Sequence, residues 1–363
     1  MRLGVEAAIV AGELVAGDVE IADGAIVACA RNGKRGSGIA VPGFVDLHVN
    51  GFGGVDFLSA DARAYARAGE ALLETGVTAF RPTFITAPEE ELTAALAEVA
   101  NAAPGPRVVG VHLEGPFLSP QRLGIHPPEH RRDPDPALLG RLLAAGDVGH
   151  VTLAPELPGA LDLVELLHAR GVAVSLGHSD ATVDEANAAF DRGVRTVTHL
   201  FNAMRPIQAR DGGLAGAALA REDVDVQLIL DGHHLAAETA RLAWRVAAGR
   251  LALVTDAGEG ASLGDGRYRL GPVEVEVQDG AARRRDGVLA GSVLTMIEAV
   301  RNLHALGAPL VDAVGAATAV PARIAGRPDL GVLVPGGRGD VVVLDDRLEI
   351  TRVVLAGESR VLA

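Results

Sequence analysis

Several short apolar runs in this chain end on a residue that can bind a metal ion or carry a proton. They end at Glu114, His178, His199, the pair His233 and His234, and Asp256. Runs rich in β-branched and aliphatic residues predict strands that are buried on both faces, as in parallel sheets covered by helices. In a closed parallel barrel the C-terminal strand ends meet on one face, where catalytic groups gather. The pattern therefore predicts that these distant residues form one cluster.

Residues 42–334 predict a TIM-type (β/α)8 barrel of class α/β, because strand-like and helical stretches alternate throughout. A doubly wound open sheet is the alternative. The predicted strands lie near residues 43–50, 77–85, 107–114, 150–155, 171–178, 194–199, 225–231 and 251–256. Residues 1–41 and 335–363 predict short strands that cannot bury a face alone, so we expect one small β-sandwich domain from both segments. Alternating residues flanked by Asp-Gly pairs predict a β-hairpin insertion near 258–290 that could cover the site.

Composition excludes some partners. The net charge is −14 and the longest basic run is Arg283–Arg285, so we expect no nucleic-acid partner. No run approaches the ~18 apolar residues of a membrane span, and the single Cys29 suits a reducing compartment, so we expect a cytoplasmic protein without a membrane partner. The only lysine, Lys34, precedes the barrel, which argues against a lysine that bridges two metals or forms a Schiff base.

Glu114, His178 and His199 together suit a divalent ion. One carboxylate and two imidazoles match zinc or a similar ion, with a fourth position left for water. Each residue alone could be structural, but three such residues at predicted strand ends favour a metal site. Asp256 could accept a proton from the water and deliver it to a leaving amine, although a further metal ligand or a helix N-cap is the alternative. The set predicts metal-dependent hydrolysis of an amide or ester.

Six motifs lie at or near the predicted strand ends. They are Pro-Gly-Phe-Val-Asp-Leu-His at 42–48, His-Leu-Glu-Gly-Pro at 112–116, Gly-His-Ser at 177–179, Thr-His-Leu-Phe-Asn-Ala-Met at 198–204, Asp-Gly-His-His at 231–234 and Thr-Asp-Ala at 255–257. Together they resemble the N-acetylglucosamine-6-phosphate deacetylases of the amidohydrolase superfamily, along nearly the whole chain. The resemblance implies a barrel with a small β-sandwich, a homodimer, and hydrolysis of the acetamide of a phosphorylated amino sugar to the amine and acetate.

The same resemblance assigns roles to individual residues. It implies that Glu114, His178 and His199 hold the metal, that Asp256 acts as base and then acid, and that His126 polarises the substrate carbonyl. The implied substrate-binding residues are Ile125, Asn202, Ala203, Arg210, His234, Leu294, Thr295 and Met296. From the sequence alone, Arg210 could equally be a solvated surface residue and His126 a loop histidine without a role.

The first predicted strand departs from the superfamily, which commonly has two histidine ligands there. Here the strand reads His48-Val49-Asn50, and both polar side chains point toward the barrel interior. Because a neutral amide oxygen is a poor zinc ligand, we expect one divalent ion per subunit. Zinc is favoured, with iron, cobalt or manganese as alternatives. A second ion at His48 stays open but is not expected.

Other functions fit parts of this pattern. A deacetylase for the galactosamine epimer would use the same residues, since the two substrates differ at one hydroxyl. A cyclic-amide hydrolase or nucleobase deaminase uses the same barrel, but the Phe-Asn-Ala-Met segment and Arg210 favour a phosphosugar. A metal-binding sensor would not need a proton carrier at Asp256. We therefore predict an N-acetylglucosamine-6-phosphate deacetylase activity.

Overall fold

The N-terminal segment forms short strands of a small β domain. The computed structural model describes residues 1–31, 36–100 and 105–361, so Lys34 lies outside the described residues. The strands are β1 (Ala7–Val10), β2 (Glu13–Ala16), β3 (Asp18–Ala22), β4 (Ala25–Arg31) and β5 (Ile39–Pro42). β1 pairs with β2 and β5, whereas β3 and β4 form a separate antiparallel pair. Two small sheets therefore begin in this segment.

The parallel strands of the barrel follow. They and the short strands among them are β6 (Phe44–Val49), β7 (Gly51–Phe52), β8 (Val55–Asp56), β9 (Val77–Ile85), β10 (Arg107–Val108), β11 (Val111–Glu114), β12 (Val148–Leu153), β13 (Ala173–Leu176), β14 (Thr196–Val197), β15 (Asp225–Leu228) and β16 (Leu251–Leu253). The sheet runs from β6 through β9 and β11 to β16, each strand parallel to the next. A parallel bridge between Val49 and Ala257 joins the first strand to the segment after the last. The eight strands therefore form a nearly closed barrel.

Helices lie between the barrel strands. They are α1 (Ala62–Glu74), α2 (Glu89–Val99), α3 (Pro136–Ala145), α4 (Ala160–Ala169), α5 (Val183–Phe190), α6 (Gly213–Ala220) and α7 (Ala237–Val246). Helix α1 begins where the Asp61 side chain accepts a hydrogen bond from the Ala64 amide, at 2.7 Å. It buries Tyr65, Ala68 and Leu72, which share one face at helical spacing. Such apolar faces pack against the outer side of the strands and form the main hydrophobic core with them.

An inserted sheet and the C-terminal segment complete the fold. Their elements are β17 (Gly266–Leu270), β18 (Val273–Gln278), β19 (Ala281–Arg283), α8 (Met296–Ala305), α9 (Leu310–Ala317), α10 (Ala319–Ile324), β20 (Val341–Leu344), β21 (Ile350–Leu355) and β22 (Glu358–Val361). The insertion is a three-stranded antiparallel sheet, where the sequence predicted a two-stranded hairpin. The third strand has the sequence Ala-Ala-Arg, which carries no strand signal of its own.

The two chain ends pair in the small domain. β20 is antiparallel to β5, and the six-stranded sheet runs in the order β2, β1, β5, β20, β21, β22. Its separate small core combines Ala8, Ile26 and Val341, among others, from both sheets of the domain. The predicted barrel with a small β domain built from both chain ends is confirmed, while the domain boundaries near residues 41 and 335 stay a prediction. Within the described residues, no helix is both long and apolar enough to cross a bilayer.

Candidate metal centre and active site

The reactive residues lie at or just beyond the C-terminal ends of the barrel strands. Glu114 is the last residue of β11, and His178, His199 and Asp256 follow β13, β14 and β16 within three residues. The backbone of these three has positive φ angles of 48°, 27° and 50°. Non-glycine residues rarely adopt this region, and such strain concentrates at functional sites. The strand ends therefore turn sharply where their side chains meet.

Three of these side chains form a tight cluster. Nε2 of His178 lies 3.2 Å from Oε1 of Glu114, and Nε2 of His199 lies 2.9 Å from the same oxygen. The two Nε2 atoms are 3.1 Å apart. All three residues are buried, and their ligand atoms lie within 4.8 Å of one another. The cluster could hold a metal ion.

The hydrogen bond of His178 tests whether these donors fit a cation. Nδ1 of His178 lies 2.9 Å from the carbonyl oxygen of Arg122, which can only accept, so Nδ1 carries the proton. In the neutral imidazole, Nε2 then presents a lone pair toward Oε1 of Glu114 and Nε2 of His199. A lone pair and a carboxylate aimed at one point repel each other unless a positive charge lies between them. The donor set therefore suits a divalent ion with nitrogen and oxygen ligands.

His48 and Asn50 border this cluster on the first strand. Nε2 of His48 lies 3.0 Å from Oδ1 of Asp256 and 3.5 Å from Oε2 of Glu114. Burial alone would lower the pKa of His48, but the two carboxylates raise it well above its usual range. The amide Nδ2 of Asn50 donates to Oδ1 of Asp256 at 2.6 Å. His48 thus supplies positive charge between two carboxylates, and Asn50 fixes one of them.

Both carboxylates are held in the ionised form. Burial would raise the pKa of Glu114, but the charge of His48 keeps it well below its usual range. Burial would likewise raise the pKa of Asp256, which the charge of His48 lowers instead. Within the described residues, Oδ2 of Asp256 has no hydrogen-bond partner, whereas Oδ1 has two neighbours. Asp256 therefore offers one fixed oxygen and one that is available to accept a proton.

His126 presents a hydrogen-bond donor on the loop after β11. The backbone amide of Thr86 donates to Nδ1 of His126 at 3.2 Å, so the proton of the neutral ring lies on Nε2. Burial lowers the pKa of His126 to about 4, which keeps the ring neutral near pH 7. Among the described residues, the buried Nε2 has no hydrogen-bond partner. It is free to donate to a ligand.

These groups open onto a cavity of about 470 Å³. The inserted sheet and the segment after it line the cavity with Leu270, Val288, Leu289 and Gly291, so the insertion covers the site. Gly291 has a φ of 61°, and a Cβ atom there would lie 2.8 Å from the carbonyl oxygen of Asp256. A side chain at this position would displace the strand end that carries Asp256. The cavity has the size of a small-molecule site with a few polar groups at one end.

The sequence that forms this barrel and its cluster matches the model of a known family. A model of the Amidohydrolase family matches residues 39–360, which is most of the chain. The chain belongs to the amidohydrolase family. This amidohydrolase is therefore a metal-dependent hydrolase by family, and its Glu114, His178 and His199 cluster could bind the ion.

Individual proteins that are similar to this chain have more specific names than the family. The N-acetylgalactosamine-6-phosphate deacetylase of Escherichia coli O157:H7 is 37% identical, over 94% of this chain and 93% of the relative. The human N-acetylglucosamine-6-phosphate deacetylase is 38% identical, over 89% of this chain and 83% of the relative. A mutant of the N-acetyl-D-glucosamine-6-phosphate deacetylase of Mycobacterium smegmatis, solved in complex with N-acetyl-D-glucosamine-6-phosphate, is 38% identical. The structural match covers 100% of this chain and 99% of the Mycobacterium smegmatis chain, with a TM-score of 0.94.

The structure brings some of the predicted substrate-binding residues of this amidohydrolase together. Ile125, Asn202, Ala203 and His234 all line the cavity. Nδ1 of His234 lies 2.7 Å from Oδ2 of Asp231, and both side chains are largely buried. The carboxylate therefore orients the ring through Nδ1 and leaves Nε2 without a hydrogen-bond partner among the residues that the structure describes.

The other predicted substrate-binding residues lie outside the cavity lining. Arg210 is exposed on the loop between β14 and α6. Thr295 caps α8, where its hydroxyl and Glu298 form a capping box. Leu294 and Met296 flank this cap and are buried. In the single subunit, these four residues do not reach the pocket.

Sequence reasoning missed the residues that orient the site. Thr86 fixes the tautomer of His126, and the Arg122 carbonyl fixes that of His178. Both contacts use backbone atoms, so no residue type marks them in the sequence. Arg283 of the inserted sheet also lines the cavity and was noted only as part of a basic run. Asp231, which orients His234, is the first residue of the Asp-Gly-His-His motif, and this motif was the only sequence signal for its role.

Proposed function

We propose that this amidohydrolase hydrolyses the acetamide of N-acetyl-D-glucosamine 6-phosphate to D-glucosamine 6-phosphate and acetate. One observation carries the proposal: a carboxylate oxygen of Asp256 and the Nε2 donor of His126 flank the Glu114, His178 and His199 cluster within one cavity. Acetamide hydrolysis needs these groups, because the carbonyl must be polarised, a water deprotonated and the leaving amine protonated. The names of the relatives support the choice of sugar phosphate.

Glu114, His178 and His199 would hold one divalent ion, for which we favour zinc. When bound, such an ion supplies Lewis-acid chemistry that makes water acidic enough to react near neutral pH. We expect about one equivalent per subunit, since Asn50 offers only a neutral amide and His48 already serves two carboxylates. Elemental analysis after gel filtration measures this number. Two retained equivalents would contradict the assignment of a single site.

Asp256 would move the proton during the reaction. Its Oδ1 is held by Asn50 and lies beside His48, so Oδ2 would accept the proton of the attacking water. The same oxygen would then pass this proton to the nitrogen of the leaving amine. The low pKa of Asp256 keeps the carboxylate ionised at the start of each turnover.

His126 would bind the substrate carbonyl. Its Nε2 lies beside the cluster, 3.4 Å from Oε2 of Glu114. A neutral donor at this place stabilises negative charge that develops on the carbonyl oxygen, without repelling the metal. Because Thr86 fixes Nδ1 as the acceptor, the donor is in place before the substrate binds.

The phosphate would bind in the cavity near Asn202, the Ala203 amide and His234. Arg210 was predicted to contact the phosphate, yet it is exposed in the single subunit. We propose that the chain forms a homodimer in which Arg210 reaches the partner subunit's cavity. Sedimentation of wild type measures the assembly. A monomer that retains full activity would exclude this role for Arg210.

The test is acetate release from three substrates by the metal-loaded protein. We expect turnover of N-acetylglucosamine 6-phosphate to exceed that of the galactosamine epimer and of unphosphorylated N-acetylglucosamine. Faster turnover of the epimer would instead assign the activity of the Escherichia coli relative. No release from either phosphate would overturn the proposed function.

A further inference from the structure

Two arginine residues line the active-site cavity, and only one of them lacks a carboxylate partner among the described residues. Arg122 is neutralised, because its Nε and Nη2 lie 2.7 and 2.6 Å from Oδ1 of Asp180. The backbone carbonyl of Arg122 is also engaged, since it orients His178. The guanidinium of Arg122 is therefore committed to the protein itself.

Arg283 differs from Arg122 and from the two arginines that follow it. Nη2 of Arg284 lies 2.7 Å from Asp286, and Nη2 of Arg285 lies 3.9 Å from Glu274. Nη1 of Arg283 donates to the carbonyl oxygen of Gly287 at 2.8 Å. No carboxylate of the described residues lies within 4.0 Å of its guanidinium nitrogens. The basic run therefore contains one cation that is anchored by the backbone and free to bind an anion.

The inserted sheet places Arg283 in the lining of the active-site cavity, and His234 lines the same cavity. Arg283 is the last residue of β19, and it forms a bridge with Leu289, which itself lines the cavity. The turn between β18 and β19 lies against the loop after β15, since a Cβ atom on Gly280 would lie 3.6 Å from Nε2 of His233. The insertion thus packs beside the loop where His234 is held by Asp231.

We propose that Arg283 binds the phosphate of the substrate from the same subunit and sets the preference for phosphorylated sugars. This inference rests on the proposed function. Arg283 and His234 line the same cavity, and a dianionic phosphate held there gains most from a guanidinium that has no carboxylate partner among the described residues. A guanidinium with one edge anchored to Gly287 keeps further N–H groups for two parallel bonds to phosphate oxygens.

The experiment compares kcat/KM for N-acetylglucosamine 6-phosphate with kcat/KM for N-acetylglucosamine in metal-loaded wild type and Arg283→Ala. We expect the ratio of the two values to fall about tenfold or more in the variant, mainly through KM for the phosphorylated sugar. Arg283→Lys should recover part of the ratio, because it keeps the charge and loses the planar fork. Arg285→Ala is the matched control: its side chain is 86% exposed and outside the cavity, so the wild-type ratio is expected.

A binding measurement provides a second reading that needs no turnover. Calorimetry with glucosamine 6-phosphate should show a Kd about tenfold weaker in Arg283→Ala than in wild type. An unchanged Kd together with an unchanged substrate ratio would overturn the role of Arg283 and leave the proposed function intact. A wild type that shows no preference for the phosphorylated sugar would overturn the role of Arg283, whereas a wild type that releases no acetate from either phosphate would overturn the proposed function. Because Arg283 is exposed, thermal unfolding of the variant should match that of wild type.

Discussion

The barrel interior contains two neighbouring layers of polar residues with different properties. The upper layer is the cluster of Glu114, His178 and His199 with His48 and Asp256, where lone pairs and charges converge. The layer beneath it lies one step nearer the N-terminal ends of the strands, since His112 precedes Glu114 by two residues on β11. Both layers are buried and both contain histidine.

In the lower layer, His112 and the hydroxyl groups around it form hydrogen bonds with one another. His112 places Nδ1 3.2 Å from the hydroxyl of Thr83 and Nε2 2.7 Å from that of Thr152. Thr152 lies 2.7 Å from the hydroxyl of Thr198, which donates to Ser175 at 2.6 Å. Hydroxyl groups can donate and accept, so the chain of bonds closes without a cation.

The comparison shows that the partners of a buried histidine decide its role. Burial and the charges of His150 and His48 hold the pKa of His112 well below its usual range, so it is a neutral structural residue. In the upper layer the neighbours of each imidazole are carboxylates and other imidazoles, which cannot satisfy one another without a proton or an ion. We therefore expect the upper layer to bind the ion and to react, and the lower layer to hold the strands together.

Glu114→Gln should have the largest effect, because it removes the one carboxylate that both histidine ligands share. We expect bound metal to fall from about one equivalent per subunit to a small fraction, and acetate release to become undetectable. Elemental analysis of the purified variant measures the first quantity. Full retention of the ion would show that the upper layer is not the metal site.

Asp256→Asn should separate proton transfer from metal binding within the upper layer. The amide cannot accept a proton, so kcat should fall about 10²- to 10⁴-fold while the metal content stays that of wild type. Acetate release under substrate saturation and elemental analysis on the same sample measure both. Near-normal turnover would remove Asp256 from the mechanism.

Thr152→Val should affect stability without affecting the metal. The substitution keeps the shape but leaves Nε2 of His112 without its partner and removes one of the two hydroxyl neighbours of Thr198, so the free energy of unfolding should fall by about 2 kcal/mol. Denaturant unfolding measures this change. If the variant also lost its metal, the two layers would not be independent and the comparison would be wrong.

Asp231→Asn should have the smallest effect, because it changes the orientation of His234 outside both layers. Burial would raise the pKa of Asp231, but the hydrogen bond from His234 lowers it. The ionised carboxylate therefore stabilises the fold above its unfolded pKa of about 4, and this contribution is lost as the pH falls through the lower folded pKa. We expect the variant to be about 1 kcal/mol less stable near pH 7.

Two measurements check the Asp231 prediction. The stability difference between wild type and Asp231→Asn should shrink as the pH is lowered below about 4. KM for N-acetylglucosamine 6-phosphate should rise a few-fold, because His234 loses its fixed orientation. A stability difference that grew toward acidic pH would contradict the assigned direction of the pKa shift.

The position of the site was predictable because strand ends in a parallel barrel converge regardless of sequence distance. Glu114, His178, His199 and Asp256 each end an apolar run, and the structure brings all four together. The inserted sheet was only partly predictable. Its first two strands alternate polar and apolar residues, whereas β19 is too short and too rich in alanine to give a signal.

The predicted substrate-binding residues show that the sequence does not predict which loop side chains reach the cavity. Arg210 and Arg283 are both arginines in polar loops or short strands, yet only Arg283 lines the cavity of its own subunit. Thr295 lies in a motif of the resemblance but caps a helix. In a regular strand or helix, the period of the element predicts where a side chain points. Loops have no fixed period, so the residue type alone does not predict this direction there.

By itself the sequence determined the barrel, the small β domain and the set of residues at the catalytic face, because apolar periodicity is local and strand ends must meet. Only the tertiary structure decided how those residues act. The carbonyl of Arg122 and the amide of Thr86 set the tautomers of His178 and His126, and Asn50 fixes Oδ1 of Asp256. These contacts join backbone and side-chain atoms of segments far apart in the chain, so they exist only once the barrel has closed.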